Sequence, residues 1–144
     1  MNINNGKSAM TTEILETQST VLVIDDDDYS LDLARLTLGK LGFTKVQTAH
    51  DGSVGLRLLD EMPEPPDFVI CDIFMPERDG IEFMGELAKR RYPGGVILVS
   101  GGGFQMLSLA RQIAFESGLN VLGAFTKPLQ QHELLQALSG GDST

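Results

Sequence analysis

The sequence predicts a single α/β domain in which helices cover both faces of a parallel sheet. Five short apolar runs recur along the chain, and five segments with helical spacing alternate with them, without an internal repeat. At 144 residues, 42% of them hydrophobic, the chain is long enough to bury one core. Strand and helix in regular alternation indicate crossover connections, and therefore parallel strands.

The predicted strands are short and almost free of polar residues. The first reads VLVI and the third reads DFVIC, as expected of strands that are covered on both faces. The five strands are expected at 21–24, 45–49, 67–71, 95–99 and 121–125.

Each predicted strand is followed by a segment with helical spacing. In the first, Leu31, Ala34 and Leu38 recur at intervals of three and four residues, and Gly42 closes the helix. Gly118 closes the fourth helix in the same way. The five helices are expected at 29–41, 51–61, 81–91, 104–117 and 130–138.

The domain is expected to occupy residues 19–139. Residues 1–18 are polar and show no sustained period, so they are interpreted as a flexible N-terminal extension, and 140–144 as a C-terminal tail.

Composition disfavours several classes of protein. Eleven basic residues against 20 acidic ones give a net charge of −9, which argues against direct binding to nucleic acid or to an anionic membrane. The single cysteine excludes an internal disulfide and a cysteine-based zinc site. No apolar run is long enough to span a membrane, and the N-terminus lacks a signal-peptide core, so a cytoplasmic location is expected.

Polar side chains follow four of the five predicted strands. Asp25 and Asp26 follow the first, Asp72 the third, Ser100 the fourth and Lys127 the fifth. Because ligands of parallel sheets bind at the carboxyl ends of the strands, these side chains are expected to converge. Carboxylate oxygens suit Mg²⁺, and a carboxylate beside Mg²⁺ can act as a nucleophile toward phosphorus.

Four consecutive aspartates at 25–28 need an explanation, since two unit charges 4 Å apart repel by about 4 kcal/mol at an effective dielectric of 20. A divalent cation among Asp25, Asp26 and Asp72 would offset that repulsion. Asp27 and Asp28 are interpreted as helix-start residues, because aspartate is a favoured N-cap and its negative charge complements the helix dipole. Lys127 would neutralise phosphate oxygens, and Ser100 would donate a hydrogen bond to one.

The motifs, in order, are VLVIDD, FVICDIFMPERDG, VILVSG and AFTKP, and together they resemble the receiver domain of two-component response regulators of the CheY type. The resemblance covers about residues 20–139. It implies the flavodoxin-like strand order 2-1-3-4-5.

The resemblance also implies roles for individual residues. Asp72 would be the phosphoacceptor, Asp25 and Asp26 the acidic pair that holds Mg²⁺, and the backbone carbonyl of Phe74 a further metal ligand. Ser100 and Lys127 match the hydroxyl and the lysine of the family. A cis bond before Pro128 is implied as well, and Gly101 is taken as a cofactor-binding residue.

The implied function is phosphorelay signalling. A sensor histidine kinase or phosphotransfer protein would phosphorylate Asp72 in a Mg²⁺-dependent reaction, and the face formed by the fourth helix, fifth strand and fifth helix would change. Catalysis would be limited to the domain's own phosphorylation and dephosphorylation. An output domain, an effector protein or a second copy of the chain are left open as downstream partners.

Two departures from the family pattern stand out. Ala124 occupies the position of the usual switch aromatic, and the neighbouring Phe125 is expected on the opposite face of the sheet. Lys127 lies 27 positions after Ser100, more than the family commonly shows. This longer segment is similar to that of receivers that precede EAL phosphodiesterase domains.

Two alternatives remain. A phosphohydrolase of the haloacid-dehalogenase type would use Asp25 and Asp27, with Ser100 in its second motif. That hypothesis needs paired acids after a later strand, and none follows residue 121; it also leaves Asp72 without a role. A degenerate receiver used only for interaction is disfavoured because the acidic pair, Asp72 and Lys127 are all present.

Overall fold

A parallel sheet of five strands forms the centre of the computed structural model, which describes residues 18–75 and 80–139. The strands are β1 (Thr20–Ile24), β2 (Lys45–Ala49), β3 (Phe68–Asp72), β4 (Gly95–Ser100) and β5 (Asn120–Thr126). Their order is β2-β1-β3-β4-β5, and every neighbouring pair is parallel. The predicted α/β class and strand order are confirmed. The predicted N-terminal extension at 1–18, apart from residue 18, and the predicted tail at 140–144 lie outside the described residues.

Within the described ranges, five helices follow the strands. They are α1 (Asp28–Lys40), α2 (Gly52–Glu61), α3 (Gly80–Lys89), α4 (Phe104–Glu116) and α5 (Gln131–Leu138). The predicted elements agree with these to within one or two residues at most ends, where helices fray and boundaries are least sharply defined. No helix among these residues is both long enough and apolar enough to cross a membrane.

The helices form two layers, one on each face of the sheet. Side chains of α2, α3 and α4 pack with Leu22 and Ile24 of β1, whereas those of α1 and α5 pack with Val21 and Val23. This alternation follows from the two-residue period of a strand. The layers bury both faces and leave the carboxyl edge of the sheet open to the loops.

Side-chain caps fix where two of the helices begin. The Asp27 carboxylate accepts from the backbone N–H of Ser30 at 3.1 Å, so Asp27 is the N-cap of α1, and Asp28 lies in the first turn. Asp51 caps α2 by accepting from the N–H of Val54 at 2.8 Å. The interpretation of Asp27 and Asp28 as helix-start residues is confirmed.

A bulge in β5 decides which side chains face each helical layer. Val96 pairs with Val121 but Ile97 pairs with Gly123, so Leu122 is an extra residue in the ladder. Beyond the bulge, Ala124 packs against the α4 side of the sheet and Phe125 against the α1 and α5 side. The predicted opposite orientation of these two residues is confirmed.

Candidate functional site

The backbone holds four of the predicted site residues at the carboxyl edge of the sheet. Asp72 and Ser100 are the last residues of β3 and β4, and Asp25 directly follows β1. The N–H of Asp25 donates to the carbonyl of Ala49 at 3.1 Å, and the N–H of Lys127 donates to the carbonyl of Ser100 at 2.9 Å. These bonds extend the ladders past the strand ends and so place the side chains side by side.

Three carboxylates converge at this edge. One ligand oxygen from each of Asp25, Asp26 and Asp72 lies within 4.8 Å of the others. Asp25 and Asp72 are buried, at 3% and 2% exposure, while Asp26 is exposed. Three hard oxygen ligands, one facing solvent, are a donor set that fits a divalent cation such as Mg²⁺, which retains several waters.

Lys127 is bound into the carboxylate cluster. Its Nζ lies 2.7 Å from Asp25 Oδ2 and 3.2 Å from Asp72 Oδ2. A third contact, also 3.2 Å, joins Nζ to the hydroxyl oxygen of Ser30. The three N–H groups of the ammonium therefore have three acceptors. The Lys127–Pro128 peptide bond is cis, as the family resemblance implies.

The protonation states of Asp72 and Lys127 follow from burial and from their contacts. Burial raises the pKa of Asp72 to about 6; the N–H of Phe74 opposes that rise, the charge of Asp25 adds to it, and Lys127 opposes it. Burial alone would lower the pKa of Lys127, but the hydrogen bond to Asp25 and the charge of Asp72 outweigh it and raise that pKa. At neutral pH the pair is therefore a carboxylate beside an ammonium, and the carboxylate is more basic than an ordinary aspartate.

Ser100 lies at the same edge, fully buried. Its Oγ accepts a hydrogen bond from the N–H of Gly102 at 2.9 Å, which leaves the hydroxyl proton able to donate elsewhere. Gly101 is exposed, and a Cβ built on it would lie 3.7 Å from Cδ of Lys127. The structure thus places both residues next to Lys127, and their roles toward a bound group stay predictions.

Phe74 contributes backbone to the site while its side chain is exposed. Its N–H donates to Asp72 Oδ1 at 3.0 Å, which orients that carboxylate. The predicted role of the Phe74 carbonyl as a metal ligand stays a prediction.

Two residues that the sequence analysis did not single out complete the site. Ser30, in the first turn of α1, contacts Lys127 across 97 positions of sequence. Gly80, the first residue of α3, packs on the end of β3: a Cβ built there would lie 2.6 Å from the carbonyl oxygen of Asp72. The DG pair in the motif was the available signal for Gly80, whereas nothing local indicates that Ser30 meets Lys127.

The phosphohydrolase alternative finds no support in this geometry. It requires the carboxylate of Asp27 to share a site with Asp25. The Asp27 carboxylate instead caps α1, where it accepts from both the N–H and the hydroxyl of Ser30.

Comparison with known proteins shows the family of this chain. The model of the response regulator receiver domain matches residues 21–139. The Escherichia coli K12 transcriptional regulatory protein GlrR is 35% identical over 118 residues, which are 82% of this chain and 25% of that protein. The chain spans only 25% to 35% of the length of the first such curated relatives.

Solved structures show the same fold. A response regulator from Colwellia psychrerythraea is 30% identical, with a TM-score of 0.72, over 88% of this chain and 100% of that one. The receiver domain of the Arabidopsis thaliana histidine kinase CKI1, complexed with Mg²⁺ and BeF₃⁻, is 25% identical, with a TM-score of 0.68, over 93% and 96%. With the family model matched across the whole sheet, the chain belongs to the response regulator receiver domain family.

Proposed function

We propose that this receiver domain accepts a phosphoryl group on Asp72 from a sensor histidine kinase or phosphotransfer protein, in a Mg²⁺-dependent reaction. The observation that carries the proposal is the buried Asp72 carboxylate, which is ion-paired with Lys127 and lies within a cluster of three aspartates. Burial raises the pKa of Asp72 to about 6, so this carboxylate is ionised at neutral pH yet more basic than an ordinary aspartate.

In the proposed reaction a carboxylate oxygen of Asp72 attacks phosphorus. An O–P bond forms, the P–N bond of the phosphohistidine donor breaks, and the departing imidazole keeps the electron pair and takes up a proton. The Lys127 ammonium, already beside Asp72, neutralises a phosphoryl oxygen, and the Ser100 hydroxyl donates to one. In dephosphorylation, water attacks phosphorus and the bond between phosphorus and the Asp72 oxygen breaks. The products are the Asp72 carboxylate and inorganic phosphate.

Asp25, Asp26 and Asp72, with the carbonyl of Phe74, would hold the metal ion. When bound, Mg²⁺ supplies positive charge that offsets the negative charge developing on the transferred phosphoryl group. The CKI1 receiver complexed with Mg²⁺ and BeF₃⁻ supports this assignment by similarity.

We further propose that phosphorylation acts on the face formed by α4, β5 and α5, and that an output domain, an effector protein or a second copy of the chain reads it. The greater length of the curated relatives is consistent with an attached or separate output partner. A donor kinase in the cytoplasm would place the domain there too.

The test is phosphorylation of the full chain by acetyl phosphate, followed by mass spectrometry. Label is expected on Asp72 only when Mg²⁺ is present, and Asp26→Ala should reproduce the loss seen without Mg²⁺. Asp28→Asn, an exposed acid in the first turn of α1, is the matched control and should keep the label. Label that survives Asp72→Asn would overturn the assignment.

A further inference from the structure

A series of hydrogen bonds leads away from the site, from Lys127 to the start of α1. Nζ of Lys127 donates to Oγ of Ser30 at 3.2 Å, and that hydroxyl donates to Oδ2 of Asp27 at 2.8 Å. The ionised carboxylate can only accept, so the Ser30 proton is committed to Asp27. Ser30 therefore offers Lys127 a lone pair, and the series of hydrogen bonds runs from ammonium to hydroxyl to carboxylate.

Packing does not hold the Lys127 ammonium in place by itself. The side chain of Lys127 borders a cavity of about 420 Å³ between α1 and the segment that follows β5. The rest of this cavity is lined mainly by apolar side chains, among them Val23, Leu33, Ala34 and Leu129. With open space on one side of its stem, the ammonium is located by its three polar partners.

Those partners do not behave alike when Asp72 is phosphorylated. The Asp72 carboxylate becomes an acyl phosphate and loses its carboxylate charge, and Asp25 belongs to the aspartate cluster proposed to hold the cation. Ser30 and Asp27 neither carry the phosphoryl group nor belong to that cluster. The hydrogen bond from Lys127 to Ser30, whose hydroxyl Asp27 holds, can thus persist from the free to the phosphorylated state.

We propose that Ser30 is a positioning residue for phosphoryl transfer. Its hydroxyl, held by Asp27, keeps the Lys127 ammonium beside Asp72, where the phosphoryl oxygens arrive. Asp27 then has two roles, as the cap of α1 and as the anchor of this series of hydrogen bonds. The inference rests on the proposed phosphorylation of Asp72.

The test compares rates of Asp72 labelling by acetyl phosphate with saturating Mg²⁺ in the full chain. Ser30→Ala should slow labelling roughly three- to tenfold, the range expected for loss of one hydrogen bond that orients a charged group. Helix α1 should remain capped, because the N–H of residue 30 still donates to Asp27. Ser30→Thr keeps a hydroxyl and should restore most of the rate. Ser53→Ala, in the first turn of α2, is the matched control and should leave the rate unchanged.

A second readout does not depend on the phosphodonor. The Lys127 ammonium signal in ¹H–¹⁵N NMR should be observable in the wild type, where three hydrogen bonds slow proton exchange. It should broaden in Ser30→Ala and return in Ser30→Thr.

The outcomes separate the two claims. If wild type is labelled on Asp72 and Ser30→Ala matches it in rate and in ammonium signal, the positioning role is wrong while the proposed function stands. A loss in Ser30→Ala that Ser30→Thr fails to restore also overturns the role, because the hydroxyl is then not the cause. An unlabelled Asp72 in the wild type overturns the proposed function, and the positioning role with it.

Discussion

Of the four consecutive aspartates at 25–28, the described structure buries only Asp25. The other three side chains are exposed, so their mutual repulsion is screened by water. Asp25 is paired with Lys127 at 2.7 Å, which supplies the positive charge that a buried carboxylate needs. The four consecutive aspartates are therefore tolerated because three of them are solvated and the fourth, Asp25, forms a buried ion pair.

The ion pair between Asp25 and Lys127 leads to a prediction for Lys127→Ala. Removing the cation leaves the three carboxylates unneutralised, so Mg²⁺ affinity should be unchanged or should rise several-fold, while phosphorylation no longer produces the conformational response. Isothermal titration with Mg²⁺ measures the affinity, and Lys45→Ala, at the start of β2, is the control. A markedly weaker affinity in Lys127→Ala would contradict the assignment of Lys127 to the phosphoryl group.

Tyr92 offers a stability test away from the site. Its buried hydroxyl donates to the carbonyl of Pro66 at 2.7 Å. Tyr92→Phe leaves that carbonyl without its donor and should lower the free energy of unfolding by about 1–2 kcal/mol. Tyr29→Phe, 72% exposed, should have no measurable effect. Urea denaturation distinguishes the two, and equal effects would count against the Tyr92 contact.

The same residue predicts a pH dependence. Burial, and then the charge of Asp67, raise the pKa of Tyr92 above its ordinary value. Because the folded pKa exceeds the unfolded one, this contribution to stability is complete below about pH 10 and is lost as pH rises through the folded value. Wild type should therefore lose more stability than Tyr92→Phe above about pH 10. Parallel pH curves for the two proteins would refute this.

At the scale of elements, the start of α3 depends on close backbone packing. Gly80 donates its N–H to the carbonyl of Ile73 at 3.2 Å, and its Cα faces the end of β3 with no room for a side chain. Gly85 lies on the exposed face of the same helix, with open space around it. Substitution of these two glycines by alanine should thus have opposite effects on the stability of the domain.

Gly80→Ala should destabilise the domain by about 1–3 kcal/mol, because α3 or the Asp72 strand end must shift. Gly85→Ala should stabilise it by about 0.5–1 kcal/mol, since the added methyl meets nothing and helix propensity rises. Both values are measured by urea denaturation. If Gly80→Ala were neutral, the helix would not be fixed against β3 as the structure has it.

Helix α4 and the loop before it are the elements expected to respond to phosphorylation. Ala124 contributes no ring to follow Ser100, so we expect a signal to travel through the backbone. The Ser100 hydroxyl accepts from the N–H of Gly102, and Gly103 is the N-cap of α4 without a side-chain cap. We therefore expect a change in hydrogen bonding at Ser100 to reach the start of α4 through Gly102.

Hydrogen exchange with and without beryllofluoride checks this. Protection should change across 101–117, and Asp72→Asn should show no change. Differences confined to β1 and the loop after Asp72 would show that α4 is not the responding element.

At the scale of the whole molecule, the proposed metal binding should be linked to folding, because the aspartate cluster joins the ends of β1 and β3. A cation that binds only the folded chain stabilises it by about 1.4 kcal/mol at ten times its dissociation constant. For a chain of this length that corresponds to a rise of roughly 3–6 °C in Tm. Calorimetry should show the rise in wild type and in Asp28→Asn but not in Asp26→Ala. An equal rise in Asp26→Ala would mean that Mg²⁺ binds elsewhere.

The sequence by itself determined the elements and most of the site. Apolar runs and helical spacing are local properties, so the strands and helices could be located to within one or two residues at most ends. Asp25, Asp72, Ser100 and Lys127 could be grouped because parallel strands present their carboxyl ends at one edge. The order of the strands came from family resemblance, since local periodicity does not encode which strands become neighbours.

Only the tertiary structure decided the contacts that depend on how elements pack. Ser30 meets Lys127 because the Lys127 side chain reaches from the end of β5 to the first turn of α1, and nothing in either segment specifies that approach. The extra residue at Leu122 becomes a bulge only when β5 pairs with β4, and that pairing decides the faces of Gly123 and Ala124. Such features depend on how close segments that are far apart in sequence come in space. Secondary-structure propensity and the spacing of apolar residues describe only residues that are near one another in the sequence, so they do not predict these contacts.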